Sequence, residues 1–220
     1  MKRFRSSSVA GVSRGCWKRV LVPRSERDPV PVRLAPDPAA RRHVAKTGDR
    51  FEMPDGSVYQ VTAAAADSDG EFVEMQFTLP VGSVSPPPHI RRGLTEEYQV
   101  IEGSFDVMSG GAWTTLGPGE SASIPPATLH TFKNRSGTPV RVRNVHRPAA
   151  RFEDYIEHIY RLTRARGIKS AKDPRVPIYL SMLMLEYPDT LAPGRARERV
   201  GLKALAGLGR LLRLRTDVPA

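Results

Sequence analysis

The sequence predicts an all-β fold, a sandwich or a barrel, followed by α-helices, because the period of its apolar residues changes once along the chain. From Gly48 to about residue 148, short strand-like stretches recur about every 8–12 residues between glycine, proline and serine turns, which is the spacing of a sandwich or barrel. After Pro148 the apolar residues recur at the helical period. No helical stretch interrupts the strands, and this disfavours a parallel βαβ sheet.

The strands are predicted from the alternation of apolar and polar residues, which is the strand period. The clearest case is 71–79, where Val73, Met75, Phe77 and Leu79 share one face. The full set of predicted strands is 57–66, 71–79, 97–102, 104–108, 112–116, 121–124, 129–133 and 139–145.

Three helical segments are predicted after the strands. The first begins at Phe152 and carries an apolar stripe that is expected to dock on the sheet. The second, 177–187, is apolar nearly all round and needs burial on more than one side, against the barrel or a second subunit. The third, about 195–215, gathers leucines on one side and basic residues on another.

Composition and charge exclude several classes of protein. The 220 residues include no run of about 18 apolar residues and a single cysteine, Cys16, so neither a membrane-spanning protein nor a disulfide scaffold is predicted. The net charge of +11 divides into +9 for residues 1–50, −2 for 51–188 and +4 for 189–220. Because the part expected to fold is slightly acidic, nucleic-acid binding is not predicted as the main function.

The chain is expected to have four parts. Residues 1–47 are interpreted as a basic, disordered leader, either an organellar transit peptide or sequence from an upstream start codon. Residues 48–148 form the barrel, and 149–190 a helical extension packed on it. Residues 191–220 form a basic amphipathic helix that serves dimerisation or contacts a membrane peripherally.

Two motifs identify the barrel. The first places His89, Arg91 and Glu96 ahead of Gly103, and the second places Gly119, Pro125, His130 and Asn134 at fixed spacings. Together they resemble the two motifs of the cupin superfamily, in particular small quercetinase-like monocupins. The resemblance covers about residues 49–148 and implies a double-stranded β-helix, the RmlC-like jelly-roll barrel. It departs from the family at Arg91, where a second histidine is usual, and at Ala127, where a glycine is usual.

The spacing of the motif residues predicts a metal site. His89 and Arg91 share one face of an extended chain, Glu96 lies on the inner face of the next strand, and His130 on that of a later one. Two imidazoles and a carboxylate form a set that binds divalent Fe, Mn, Ni, Zn or Cu. No organic cofactor is predicted. The other histidines, His43, His146 and His158, are expected to lie outside the site.

Arg91 leaves two alternatives open. In one, it forms a buried ion pair with Glu96, and the barrel binds an organic ligand without metal. In the other, Arg91 donates two hydrogen bonds to a carboxylate or enolate of a substrate held on the metal. Glu96 then acts as a metal ligand or as a proton acceptor. Arg91 and Glu96 are therefore the candidate catalytic residues. The candidate substrate-binding residues are Arg91, Met75, Phe77, Tyr98 and Phe132.

Two functions remain in competition at this point. One is a metal-dependent enzyme with dioxygenase-like, isomerase-like or lyase-like chemistry on a small organic molecule. The other is a non-catalytic, metal-free ligand-binding or sensing barrel. In either case we expect a cytoplasmic homodimer with a small-molecule partner and no nucleic acid.

Overall fold

The computed structural model describes residues 19–20, 45–83 and 85–218. Its strands are β1 (Arg19–Val20), β2 (Arg50–Glu52), β3 (Val58–Ala63), β4 (Val73–Leu79), β5 (His89–Ile90), β6 (Thr95–Glu102), β7 (Phe105–Ser109), β8 (Ala112–Leu116), β9 (Ser121–Ile124), β10 (His130–Lys133), β11 (Val140–Arg147) and β12 (Ala192–Pro193). They form a seven-stranded sheet in the order β1-β9-β6-β11-β4-β3-β2 and a five-stranded sheet in the order β12-β5-β10-β7-β8. The predicted all-β class is confirmed.

The predicted strands agree with the structure to within a few residues at their ends, and β8 and β9 have the predicted bounds. The short strands β2, β5 and β12 were not predicted. β5 follows three consecutive prolines and has only two residues, and β12 contains Pro193. Proline cannot donate a ladder hydrogen bond, so such stretches do not show the usual strand pattern.

Of the predicted leader, only Arg19–Val20 and residues 45–47 are described. Arg19–Val20 pairs in parallel with β9 through Ser121 and Ala122, and Ala45 is buried in the core. Cys16 and His43 lie outside the described residues.

One face of β4 contributes to both halves of the core. Phe77 and Leu79 belong to the cluster that fills the closed end of the barrel. Val73 and Met75 belong to a second cluster, which they share with the helices that follow the barrel. The strand alternation predicted for 71–79 is confirmed, and the helices cover the end of the barrel that the first cluster leaves open.

Three helices make this cover: α1 (Phe152–Ala165), α2 (Val176–Glu186) and α3 (Ala196–Leu211). α1 buries Phe152, Tyr155 and Ile156 from its predicted stripe. One side of α2 packs into the second cluster, together with Val73 and Met75 of β4, and another side packs on α3. This explains why α2 is apolar nearly all round. The helix pair approaches closely at Gly209, where a Cβ would lie 2.6 Å from Met182 Sδ.

The chain returns to the barrel between α2 and α3. There, β12 pairs antiparallel with β5, with Ala192 opposite Ile90 and Pro193 opposite His89. The cover is therefore joined to the barrel at the strand that carries the first motif histidine.

Candidate functional site

A cavity of about 250 Å³ lies between the open end of the barrel and the helical cover. The barrel contributes polar side chains to its wall, among them His89, Arg91, Glu96 and Asn144. The helices contribute apolar and aromatic side chains, including Phe152, Tyr155, Ile159, Tyr179 and Leu183. An apolar enclosure with a few convergent polar groups is the usual form of a small-molecule site.

Glu96 lies at the centre of the polar cluster and is 2% exposed. Strand register places His146 of β11 directly opposite Glu96 of β6, and His146 Nε2 donates to Oε1 over 2.9 Å. Asn144 Nδ2 donates to the same oxygen over 3.0 Å. His130 Nε2 lies 2.9 Å from the other oxygen, Oε2.

The backbone orients the two motif histidines in the same way. Nδ1 of His89 donates to the carbonyl oxygen of Pro87, and Nδ1 of His130 to that of Thr128, each over 2.9 Å. A neutral imidazole protonated at Nδ1 presents a lone pair at Nε2. This is the arrangement in which an outer hydrogen bond prepares a metal-binding histidine.

The two Nε2 atoms have different surroundings. Nε2 of His89 is buried without a hydrogen-bond partner among the described residues. Nε2 of His130 faces Glu96 Oε2, which is itself an acceptor. Two acceptors at this distance require either a second proton on the ring or a cation beside both atoms.

Arg91 holds Glu96 from the other side. Its Nε and Nη2 donate to the two carboxylate oxygens, with Nη2 3.2 Å from Oε1, and its Nη1 donates to the carbonyl of Thr190 over 2.6 Å. The guanidinium carbon lies 4.9 Å from the centre of the Phe152 ring. The structure thus contains the buried ion pair that was one of the two alternatives for Arg91.

Burial and charge together determine the ionisation of the cluster. Burial would raise the pKa of Glu96, but Arg91, His146 and the hydrogen bonds to Glu96 lower it well below its usual range. Burial, with the charge of Arg91, lowers the pKa of His146 to about 4. Burial also lowers the pKa of His89, and the neighbouring His130 adds to this effect. At neutral pH, Glu96 is therefore a carboxylate, and His89 and His146 are neutral.

His89, Glu96 and His130 meet the requirements for holding a metal ion. Each offers one ligand atom, and these atoms lie within 4.8 Å of one another. The number, the type and the tautomers of the donors fit a divalent metal. Arg91 acts against this fit, because its permanent charge already neutralises the carboxylate.

The structure distributes the predicted substrate-binding residues between the cavity and the core. Arg91, Phe77 and Phe132 line the cavity. Tyr98 packs among the aromatic residues at the closed end of the barrel, and Met75 packs in the cluster beneath the helices. Glu97 lies on the opposite face of β6 from Glu96, in keeping with the alternation of the strand.

The sequence interpretation missed two partners of Glu96, which are His146 and Asn144. Asn144 and His146 lie two and four residues after Val142, a core residue, and so they are on the same face of β11. The alternation along β11 therefore already indicated that they face inward. Ser57 was also missed: it lines the cavity, and its buried Oγ has no partner in the described part of the chain. His158, expected to lie outside the site, is half-buried on α1 and hydrogen-bonded to Tyr187 and Thr216.

The barrel and its motif residues define the class of protein. Residues 75–146, about a third of the chain, match the family model for the cupin domain. This stretch runs from β4 through β11 and includes His89, Glu96 and His130. The barrel is therefore a cupin domain, which confirms the resemblance seen in the sequence.

Particular proteins resemble parts of the chain. Quercetin 2,3-dioxygenase of Bacillus subtilis (strain 168) is 24% identical over 40% of this chain, which spans only 32% of that enzyme. An RmlC-like cupin from Shewanella frigidimarina is 20% identical over 52% of this chain and 96% of its own, with a TM-score of 0.41. The polyketide cyclase RemF from Streptomyces resistomycificus is 26% identical over 47% of this chain and 70% of its own, with a TM-score of 0.38.

Proposed function

We propose that this protein binds a small organic molecule in the cavity and that His89, Glu96 and His130 hold a divalent metal beside it. The orientation of the two imidazoles carries the proposal. Both Nδ1 atoms contact backbone carbonyls, so the Nε2 atoms are left as the ligand atoms, and they lie within 4.8 Å of each other and of a Glu96 oxygen. A metal held there would act as a Lewis acid on an oxygen of the bound molecule.

The cavity walls indicate the chemistry of the molecule. Most of its lining is apolar or aromatic, which suits a largely hydrophobic body. Ser57 Oγ and His89 Nε2 are the buried polar atoms of the lining that have no partner among the described residues. They support a ligand with oxygen or nitrogen atoms at one end. The volume of about 250 Å³ lies just below the usual range for ligand pockets, which favours a small molecule.

The chain's own residues supply a base and an anion partner. Glu96 is ionised at neutral pH and can accept a proton if its contact with Arg91 is released. Arg91 has two N–H groups beyond those bonded to Glu96 and Thr190, which can donate to an anionic oxygen. We propose a dioxygenase-like, isomerase-like or lyase-like reaction on an oxygenated molecule. The dioxygenase relative, which aligns with only part of this chain, supports the first of these.

A second candidate function is metal-free ligand binding, and the Arg91–Glu96 contact favours it. The guanidinium engages both carboxylate oxygens, and Asn144 and His146 donate to one of them. A carboxylate satisfied in this way needs no metal. The barrel would then bind its ligand through Arg91, His89 and the apolar wall.

Elemental analysis separates the two functions. Wild-type protein, Arg91→His, His130→Ala and the matched control His158→Ala are expressed with metal supplementation, purified and assayed for Fe, Mn, Ni, Zn and Cu. His158 lies on α1, bonded to Tyr187 and Thr216 rather than to Glu96. Near-stoichiometric metal in wild type and His158→Ala, but not in His130→Ala, is the expected result. Metal in Arg91→His alone supports the metal-free binder.

A binding assay tests the cavity in both cases. Phenolic and diketone compounds are titrated calorimetrically into wild-type protein and into Ile159→Trp, which fills the cavity from α1. Oxygen consumption is followed with the same compounds on the metal-loaded protein. Binding that is lost in Ile159→Trp supports the cavity as the site, and binding that Ile159→Trp leaves unchanged contradicts it.

A further inference from the structure

The outward side of α3 is apolar. Seven large hydrophobic side chains are exposed in the described part of the chain, and five of them lie between Val200 and Leu212. Leu211 is 79% exposed and Val200 69% exposed. Isolated exposed apolar residues are normal in a folded protein, but a concentration on one helix marks an interaction surface.

Helical geometry places these side chains on one face. At 100° per residue, Val200, Leu208 and Leu211 fall within one arc, and Leu205 and Leu212 extend it. The opposite side of α3 packs on α2 through Ala206 and Gly209, which are both buried. The exposed side therefore has no partner among the described residues. We call it the α3 outer face: Val200, Leu205, Leu208, Leu211 and Leu212.

A different side of α3 from the α3 outer face is basic. From residue 195 to 217 the chain has seven arginines and lysines and two acidic residues. The acidic residues pair at the ends of the segment, Glu198 with Arg195 and Asp217 with Arg215. Arg199, Lys203 and Arg210 are exposed and recur along one side of the helix, and in the described ranges no acidic group lies within ion-pair distance of them.

We propose that the α3 outer face docks on an anionic lipid surface, with the helix lying in the plane of the interface. Leucines on one side and arginines and lysines on another are the pattern of an interfacial helix. Charge complementarity selects this occupant over a second copy of the chain, because residues 195–217 have a net charge of +5, and two copies of this segment in contact would repel each other. Sixteen residues form a helix about 24 Å long. No helix in the described ranges is long and apolar enough to cross a bilayer.

Vesicle sedimentation tests the proposal with the full chain. The protein is mixed with phosphatidylcholine vesicles, with or without phosphatidylserine, at low and high salt. The apolar contact is removed by Leu208→Gln with Leu211→Gln, and the charge by Lys203→Gln with Arg210→Gln. The matched control is Val81→Gln, which removes a side chain 56% exposed in a loop far along the chain from α3. Thermal melts check that each variant remains folded.

Wild type and Val81→Gln are expected to sediment with phosphatidylserine vesicles and to be released by salt. Each neutralised charge should weaken binding about fivefold, and the leucine pair about tenfold or more. Three outcomes would overturn the proposal. Wild type does not bind anionic vesicles, the leucine variant binds them as tightly as wild type does, or wild type is a dimer and the leucine variant is a monomer. The last outcome would assign the α3 outer face to a second copy.

Discussion

Replacing Arg91 by methionine should destabilise the protein strongly, because it leaves Glu96 as a buried charge without its counter-ion. The side chains are 6% and 2% exposed in this pair. Removing one partner of a buried ion pair costs about 3–5 kcal/mol. Three other contacts to Glu96 remain, from His130, His146 and Asn144. We therefore expect the free energy of unfolding to fall by about 3 kcal/mol, at the lower end of this range.

Urea unfolding of chelator-treated protein, followed by circular dichroism at neutral pH, measures this change, since urea does not screen charges as guanidinium chloride does. Arg141→Met is the matched control. Arg141 pairs with Glu102, and both side chains are exposed, so its loss should cost less than about 1 kcal/mol. Adding Glu96→Gln to Arg91→Met should recover part of the stability, because the buried charge is then gone. Equal effects of Arg91→Met and Arg141→Met would refute the reasoning.

Two further predictions concern α3 and α1. Gly209→Ala should destabilise the protein by about 1–3 kcal/mol, because the new Cβ would lie 2.8 Å from Cγ2 of the stiff Ile178 side chain as well as 2.6 Å from Met182 Sδ. Gly207→Ala, with open space around it, should stabilise the protein by about 0.5–1 kcal/mol. Thermal unfolding of the two variants compares them. Burial raises the pKa of Glu153 to about 7, so ionising it costs stability as the pH rises from about 4.5 through 7. Between pH 5 and pH 8, the free energy of unfolding of Glu153→Gln should therefore rise relative to that of wild type by up to about 2 kcal/mol, as measured by urea titration. A difference that does not depend on pH would contradict the burial argument.

The fold could be predicted where local pattern and burial agree. β4 alternates strictly because its inner face meets a core along its whole length. α1 shows a clear stripe because one side of it packs on the barrel and on α2. β5 and β12 could not be predicted in this way, because each has two residues, and their pairing joins positions about a hundred residues apart.

The candidate site was only partly predictable for a related reason. Motif spacing brought His89, Glu96 and His130 together, and the structure confirms that they form one cluster. The position of His146 opposite Glu96 depends on the register between β6 and β11. The bond from Arg91 to Thr190 depends on where the chain returns after α2. Neither register nor return path can be deduced from the period of a single segment.

The pairing of β12 with β5 also determines what a shortened chain would become. A strand at the border of a sheet exposes unpaired N–H and C=O groups, which can recruit another chain. Without Ala192 and Pro193, the strand that carries His89 would become such a border. A protein truncated before residue 192 should therefore tend to aggregate, and aggregation of a truncated form would say nothing about lipid or ligand binding. Point substitutions on α3 leave β5 paired with β12, so they are the better way to distinguish the role of α3 from that of the barrel.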